Sequence, residues 1–144
     1  MSSNEQTLSI IKPDAVERNL IEDIKQEFKK NGFIISKEKK IKLEKSEAEK
    51  FYQVHQSKPF YNDLCNYLSS GPIVVMILEG ENSIQANRKL MGATNPNDAA
   101  EKTIRKDFAI SIDENAVHGS DAEDTAKIEI SFFFNEDEIL NRTR

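Results

Sequence analysis

Residues 73–78, Ile-Val-Val-Met-Ile-Leu, form the longest unbroken apolar run in this 144-residue chain. The run is rich in β-branched residues and apolar on both parities. That is the pattern of a central strand covered on both faces, not of a strand with one face in water. It falls far short of the about 20 residues that a membrane-spanning helix needs. Ser70-Gly71-Pro72 introduces it with a turn. The fold must therefore be layered around one short buried strand.

The rest of the pattern supplies the layers. Residues 8–12 read as a second apolar strand, ended by Pro13. Ile21, Ile24 and Phe28 recur at helical spacing, and Asn31-Gly32 stops that helix. Residues 33–43 are strand-like, with Phe33, Ile35, Ile41 and Leu43 on one parity and lysines between them. Ser46 and Glu49 make a capping-box pattern at the head of a helix whose stripe is Ala48, Phe51, Tyr52 and His55. Lys58-Pro59 breaks the chain before an amphipathic helix with Tyr61, Leu64, Cys65 and Leu68 on one face. Residues 82–91 are helical, 92–107 loop-like, 109–112 a last short strand and 122–134 a final helix. Strands alternating with helices predict an α/β layer of split βαβ, ferredoxin-like type, with helices packed on one face of a small sheet.

The length fits a single domain over residues 1–144, long enough to bury about 70% of its unfolded surface. A net charge of −5 and a pI near 5.2 set a low expectation for nucleic-acid binding. Any phosphate ligand must be met by a local basic cluster. One cysteine, Cys65, excludes an intramolecular disulfide. The polar first residues carry no apolar signal core, so the expectation is a cytoplasmic protein.

Several chemistries are absent. The five glycines build neither a P-loop nor a GxGxxG loop. A single cysteine rules out a Cys-based zinc site, and the two histidines do not form HExxH. The informative stretch is Asn-Ala-Val-His-Gly-Ser-Asp at 115–121. Ser120 with Glu123 reads as a capping box, which makes Ser120 the N-cap of the final helix and sets His118 just before its positive end. Gly119 keeps the approach to His118 open. On that helix Ala122, Ala126, Ile130 and Phe133 form the core stripe, and Glu129 shares their face. A carboxylate there is costly unless paired. His118 is its nearest partner in sequence, and a carboxylate on one imidazole nitrogen fixes the tautomer and leaves the other nitrogen as a nucleophile.

Other polar residues divide less cleanly. Lys12 ends an apolar strand, where side chains often line a ligand crevice. Arg88 lies on the stripe Ile84, Arg88, Met91, with its base against the core, and Arg105 lies in the loop-like region. His55 is read as a satisfied structural histidine. Phe60 is either a base-stacking ring or a core anchor, and spacing leaves both open.

With these residues in view the chain resembles the nucleoside diphosphate kinases over essentially its full length. The segment at 115–121 is that family's highly specific active-site motif. IIKPDAV (10–16), KPFYNDL (58–64), SGPIVVMILEG (70–80), RKLMGATNP (88–96), TIRKDFA (103–109) and IEISFFF (128–134) occur in the matching order. The resemblance implies a ferredoxin-like βαββαβ sandwich, a four-stranded antiparallel sheet with helices on one face plus inserted helices. It implies transfer of the γ-phosphate of a nucleoside triphosphate to a nucleoside diphosphate through a phosphohistidine, by ping-pong kinetics and with broad base specificity. By motif position His118 is the nucleophile, attacking through Nδ1, and Glu129 hydrogen-bonds to it. Lys12, Tyr52, Arg88, Thr94 and Arg105 match phosphate-contacting positions, and Lys12 and Asn115 match those that hold the sugar hydroxyls. Phe60 matches the ring that stacks on the base, with Leu64 and Ile112 nearby. Ser120 matches a helper around Glu129. Mg²⁺ is expected on the nucleotide phosphates, with no dedicated metal site. A homo-oligomer is implied, a hexamer in preference to a tetramer. A phosphohistidine relay to a protein and a silent nucleotide-binding scaffold are the competing readings. The chain departs from the family at Glu101-Lys102, usually Pro-Gly, at Lys106, usually Gly, and at Glu114, commonly Arg.

Overall fold

A computed structural model of the chain describes residues 4–110 and 116–134. The apolar run is the heart of strand β3 (Ile73–Glu81), in which every residue from Ile73 to Glu79 is buried. Beside it runs β1 (Asn4–Ile11), and the sheet is completed by β2 (Ile34–Ile41) and β4 (Val117–Gly119) in the order β2-β3-β1-β4. All three neighbouring pairs are antiparallel. This is the ferredoxin-like sheet that the pattern predicted.

Alternation along β1 and β3 sends side chains to opposite faces, and each face has its own core. Ile11, Val74, Met76 and Leu78 pack against Ala15 of α1 (Pro13–Glu17), Ile24 and Phe28 of α2 (Ile21–Lys30), Met91 of α5 (Ser83–Met91) and Ile104 of α6 (Ile104–Phe108). The crossover helices α2 and α5 thus share one face, as expected. The inserted helices α3 (Lys45–Phe51) and α4 (Tyr61–Leu68), with α7 (Glu123–Phe133), cover the other. There Leu8, Ile10, Ile73, Val75 and Ile77 meet Ala48, Leu68, Ile130 and Phe133. That double cover is what an apolar run on both parities requires.

Four local expectations are corrected. First, Phe33, Ile35, Ile41 and Leu43 do not share a face. A β-bulge lies between Ile35, paired with Leu78, and Lys37, paired with Ile77. One extra residue reverses the alternation. Phe33 and Ile35 join the α2 side, and Ile41 and Leu43 join the opposite core. Second, α3 starts at Lys45, ahead of Ser46, with the Glu44 N–H donating to Glu47 Oε1 at 2.9 Å. Third, residues 92–107 are not all loop. They hold a 3-10 turn (Pro96–Asp98) and the start of α6, capped by Thr103, whose Oγ1 accepts the Lys106 N–H at 3.3 Å. Fourth, Ala109 and Ile110 are not in a strand, and Ser111 and Ile112 lie outside the described residues. The last strand is Val117–Gly119, in register with Ser9–Ile11 of β1. No helix among the described residues is long and apolar enough to cross a membrane.

Candidate functional site

His118 sits in the middle of β4, opposite Ile10 of β1. The strand holds its backbone, and a side-chain relay holds its ring. The Leu8 N–H donates to Ser120 Oγ at 3.4 Å, and Ser120 Oγ donates to Glu129 Oε1 at 2.7 Å. The same Oε1 lies 3.0 Å from His118 Nε2. Glu129 comes from α7, whose face with Ala126, Ile130 and Phe133 is buried. The predicted pairing of a core-facing carboxylate with His118 is present. With Nε2–H donated to the carboxylate, Nδ1 keeps its lone pair. Phe51 closes one side of the ring, edge-on at 5.4 Å between centroids.

Ser120 reaches this place by a different route from the expected cap. Helix α7 begins at Glu123 after an extended, exposed Ala122 with no side-chain cap. The Ser120 N–H donates to the Leu8 carbonyl at 3.1 Å, so Ser120 continues the edge of the sheet and its hydroxyl is turned to Glu129. Gly119 also works differently. A Cβ there would lie 2.5 Å from Asn87 Nδ2 and 2.8 Å from Met91 Sδ. Its missing side chain lets α5 close against β4, and α5 carries Arg88.

A cleft of about 430 Å³ opens over this assembly. His118, Glu129, Gly119, Arg88, Thr94 and Arg105 all line it. Arg88 is exposed, and the buried side chain beside it on α5 is Asn87. Arg105 is buried in α6 and stretches between two carbonyls, donating to Gly92 O at 3.1 Å and to Val117 O at 2.9 Å. It therefore ties the end of α5 to the strand that carries His118. Gly92 is essential to that tie. Its φ is +86°, and a Cβ would lie 2.6 Å from Thr103 Oγ1.

The cations press on one another. Burial first, and then Arg88, push the Arg105 guanidinium down to about 10. Lys12 is also buried, its own N–H donating to the Ala116 carbonyl at 2.8 Å. Burial and then Arg105 push its ammonium down to about 8, against the opposing pull of Asp14. Crowded, desolvated cations are relieved by an arriving anion, so this corner favours phosphate. Burial, followed by the Glu129 carboxylate, keeps Tyr52 a neutral phenol well above its ordinary range.

The remaining sequence candidates lie elsewhere. Lys12 and Tyr52 are not among the residues that line the cleft, and Tyr52 packs in the core with Cys65 and Phe133. Phe60 is 46% exposed, just ahead of α4. The Leu64 N–H donates to its carbonyl at 3.0 Å, and the half-buried Leu64 side chain packs on the core. Asn115, Ile112 and Glu114 lie outside the described residues. Sequence reasoning missed Phe51, His55, Asp121, Thr125 and Ile128 as cleft residues. The signal for the last three was present: they precede Glu129 by eight, four and one positions, one side of a helix and its approach. Phe51 and His55 were on a recognised stripe, but a stripe alone does not distinguish core from cleft.

Fold and site together define a cleft on a ferredoxin-like sheet that holds a carboxylate-paired histidine beside two arginines. Comparison with known proteins narrows that class. The family model for nucleoside diphosphate kinase matches residues 5–139. The nucleoside diphosphate kinase of Nitratiruptor sp. is 58% identical over 136 residues, covering 94% of this chain and 99% of its own. That of Campylobacter lari is 57% identical with the same coverage. The orthorhombic crystal structure of the Aquifex aeolicus nucleoside diphosphate kinase superposes with a TM-score of 0.92 at 37% identity, covering 94% of this chain and 99% of that one. The chain belongs to the nucleoside diphosphate kinase family, and its activity is that of a nucleoside diphosphate kinase, a phosphotransferase.

Proposed function

We propose that the γ-phosphoryl group passes through His118. The observation that carries this reading is the 3.0 Å contact between Nε2 and Glu129 Oε1, which leaves Nδ1 as the nucleophile in a cleft lined by Arg88 and Arg105. Nδ1 attacks the γ-phosphorus of a nucleoside triphosphate such as ATP. A P–N bond forms, the bond from phosphorus to the β–γ bridging oxygen breaks, and the diphosphate leaves with that electron pair. The positive charge that develops on the ring is held by Glu129, which Ser120 keeps in place. An incoming diphosphate then takes the phosphoryl group by the reverse of these steps. Arg88, Arg105, Lys12 and Thr94 orient and neutralise the phosphates, which is most of what phosphoryl transfer asks of a protein. Tyr52 adds a neutral donor, and Lys12 and Asn115 hold the sugar. Phe60, with Leu64 and Ile112, supports the base by stacking, which ignores base identity.

No group of three or more His, Cys, Asp or Glu side chains that would hold a metal occurs among the described residues. Glu129 is engaged by His118 and Ser120, so Asp121 is the other carboxylate at the cleft. That donor set fits Mg²⁺ carried on the nucleotide phosphates. The ion neutralises phosphate charge when bound. We further propose that residues 1–144 form one domain, that the enzyme is cytoplasmic and that it works as a homo-oligomer, a hexamer in preference to a tetramer.

A two-step labelling experiment tests the mechanism. The protein is incubated with γ-labelled ATP and Mg²⁺, freed of nucleotide and then given unlabelled GDP, UDP or dCDP. An acid-labile, base-stable label that moves to every diphosphate is expected, with at least about a 10⁴-fold loss of turnover in His118→Ala. Label retained on the protein favours a relay to another protein. A folded protein that takes no label sinks the phosphohistidine route.

A further inference from the structure

Helix α5 and strand β1 meet in a buried seam that is polar along its middle. The seam is tied at its start. Ser83 Oγ donates to the Glu5 carbonyl at 2.6 Å, and the Ile84 N–H donates to Glu5 Oε1 at 2.9 Å. Four and eight residues after Ser83, Asn87 and Met91 fall on the same side of α5. Both lie against Gly119 of β4, the cross-strand partner of Ser9. Cross-strand partners face the same way, so the Ser9 side chain is turned toward α5. Thr7, two positions back, shares that face, and Ile11, two positions on, is in the core on the α2 and α5 side. From Glu5 to Ser9 the strand climbs about 13 Å. From Ser83 to Met91 the helix climbs about 12 Å. Asn87 therefore stands midway along the seam, level with Thr7 and Ser9.

Thr7, Ser9 and Asn87 are completely buried. Thr7 Oγ1, Ser9 Oγ and both amide atoms of Asn87 have no hydrogen-bond partner among the described residues. Buried polar atoms are almost always satisfied, by protein or by ordered water. These atoms, gathered in one seam, offer water the two to four polar partners that it needs. We propose that buried water bridges the Asn87 amide to the Ser9 and Thr7 hydroxyls, and that Asn87 is thereby a positioning residue for Arg88. Arg88 is the next residue on α5 and lines the cleft. The bridge fixes the rotation and height of α5 over β1, and β1 pairs directly with the strand that carries His118. It therefore sets the distance between the guanidinium and the reacting imidazole. The inference rests on the reading above, in which Arg88 meets the phosphates.

The test is a double-mutant cycle on kcat/KM for ATP, with melting temperatures and a crystal structure beside it. Asn87→Leu is close in size and excludes the water. It should lower kcat/KM by about tenfold to a hundredfold, the cost of misplacing a substrate-contacting group by up to about 1 Å. The melting temperature should hold or rise, because an apolar group replaces an unsatisfied one. In an Arg88→Ala background the same substitution should change kcat/KM by less than about twofold, since the group it positions is gone. Ser9→Ala deletes one hydroxyl and should show the same dependence on Arg88 with a smaller fall. It decides the question if Asn87→Leu does not fold. The crystal structure should show water within about 3.2 Å of both the Asn87 amide and Ser9 Oγ. An equal fall in both backgrounds, no fall in either variant, or an Asn87 amide paired directly with protein overturns the proposal. An activity loss that merely follows a lowered melting temperature overturns it too. Unchanged kcat/KM in Arg88→Ala alone strikes the phosphate reading of Arg88 instead, and the electron density then decides the bridge separately.

Discussion

The two ends of the cleft are built to different standards. At the end where we propose that phosphate binds, the His118 ring is on a strand, its carboxylate partner is on a helix, and a hydroxyl bridges that carboxylate to the neighbouring strand. Arg105 is buried and hydrogen-bonded to two carbonyls. At the end where we propose that the nucleoside lies, Phe60 stands 46% exposed near a 3-10 turn (Gln53–His55), with the His55 ring 6.2 Å away and the Lys58 ammonium 5.7 Å from its centroid. Bond making tolerates little displacement. Stacking tolerates a great deal, because every base has a π-face. The difference is what an enzyme needs when its chemistry is constant and its substrates vary.

Substitutions at the two ends should therefore separate kinetically. Glu129→Gln keeps the shape of the relay but removes the charge that stabilises the imidazolium. We expect kcat to fall by about 10²-fold or more with KM little changed, by analogy with the loss of an orienting carboxylate elsewhere. Phe60→Ala removes the proposed stacking platform and should raise KM for every diphosphate by roughly tenfold, within the range of one base–aromatic contact, with kcat less affected. Steady-state kinetics with GDP and UDP read both. If Phe60→Ala lowers kcat as deeply as Glu129→Gln does, the two ends are not independent.

Alkaline pH should probe the phosphate end alone. Lys12 has its ammonium pushed down to about 8 by burial and Arg105, so in the free enzyme its charge is lost as pH rises through that value. The unfolded chain keeps the proton to about 10.4. Between about 8 and 10.4 the unfolded state binds more protons, so this group makes folding more favourable as pH rises. Phosphate binding has the opposite sign, because it needs the charge. Nucleotide binding near pH 9 should take up close to one proton, measured by calorimetry in two buffers of different ionisation enthalpy. Lys12→Met should abolish the uptake. Uptake unchanged in that variant assigns the proton elsewhere.

The contrast also explains what the sequence made legible. The buried strand, the crossover helices and the His118–Glu129 pair all follow from periodicity and from the cost of an unpaired carboxylate. The β-bulge between Ile35 and Lys37 did not, because residues 36–40, Ser-Lys-Glu-Lys-Lys, hold no apolar side chain whose parity would mark the shift. Ser120 was misread because a serine followed by a glutamate signals a cap only if the chain turns into helix at once. Here two residues, Asp121 and Ala122, intervene before α7, and the hydroxyl answers a long-range partner instead. His55 was misread for a related reason. Helical spacing put it on the right stripe, but its buried Nδ1 has no hydrogen-bond partner among the described residues, and that is decided in three dimensions.

The smallest expected effect lies between the two ends, in the segment that carries Arg105. Lys102 has a φ of +67°, the left-handed region that a lysine side chain resists. The strain is worth about 1 kcal/mol, partly offset by the extra freedom that glycine gives the unfolded chain. Lys102 is exposed and does not line the cleft, so the loss of its side chain removes little else. Lys102→Gly should stabilise the protein by a few tenths of a kcal/mol up to about 1 kcal/mol, raising the melting temperature by a few degrees at most for a chain of this size. Because Thr103 caps α6 immediately afterwards, and Arg105 lies one turn further on, the relief should leave the arginine's two carbonyl contacts in place. Unchanged KM with a raised melting temperature is the expected result. A raised melting temperature with a raised KM would mean that the strained backbone at Lys102 helps to hold Arg105 over the cleft, and that the rigid end of the site extends further than its hydrogen bonds.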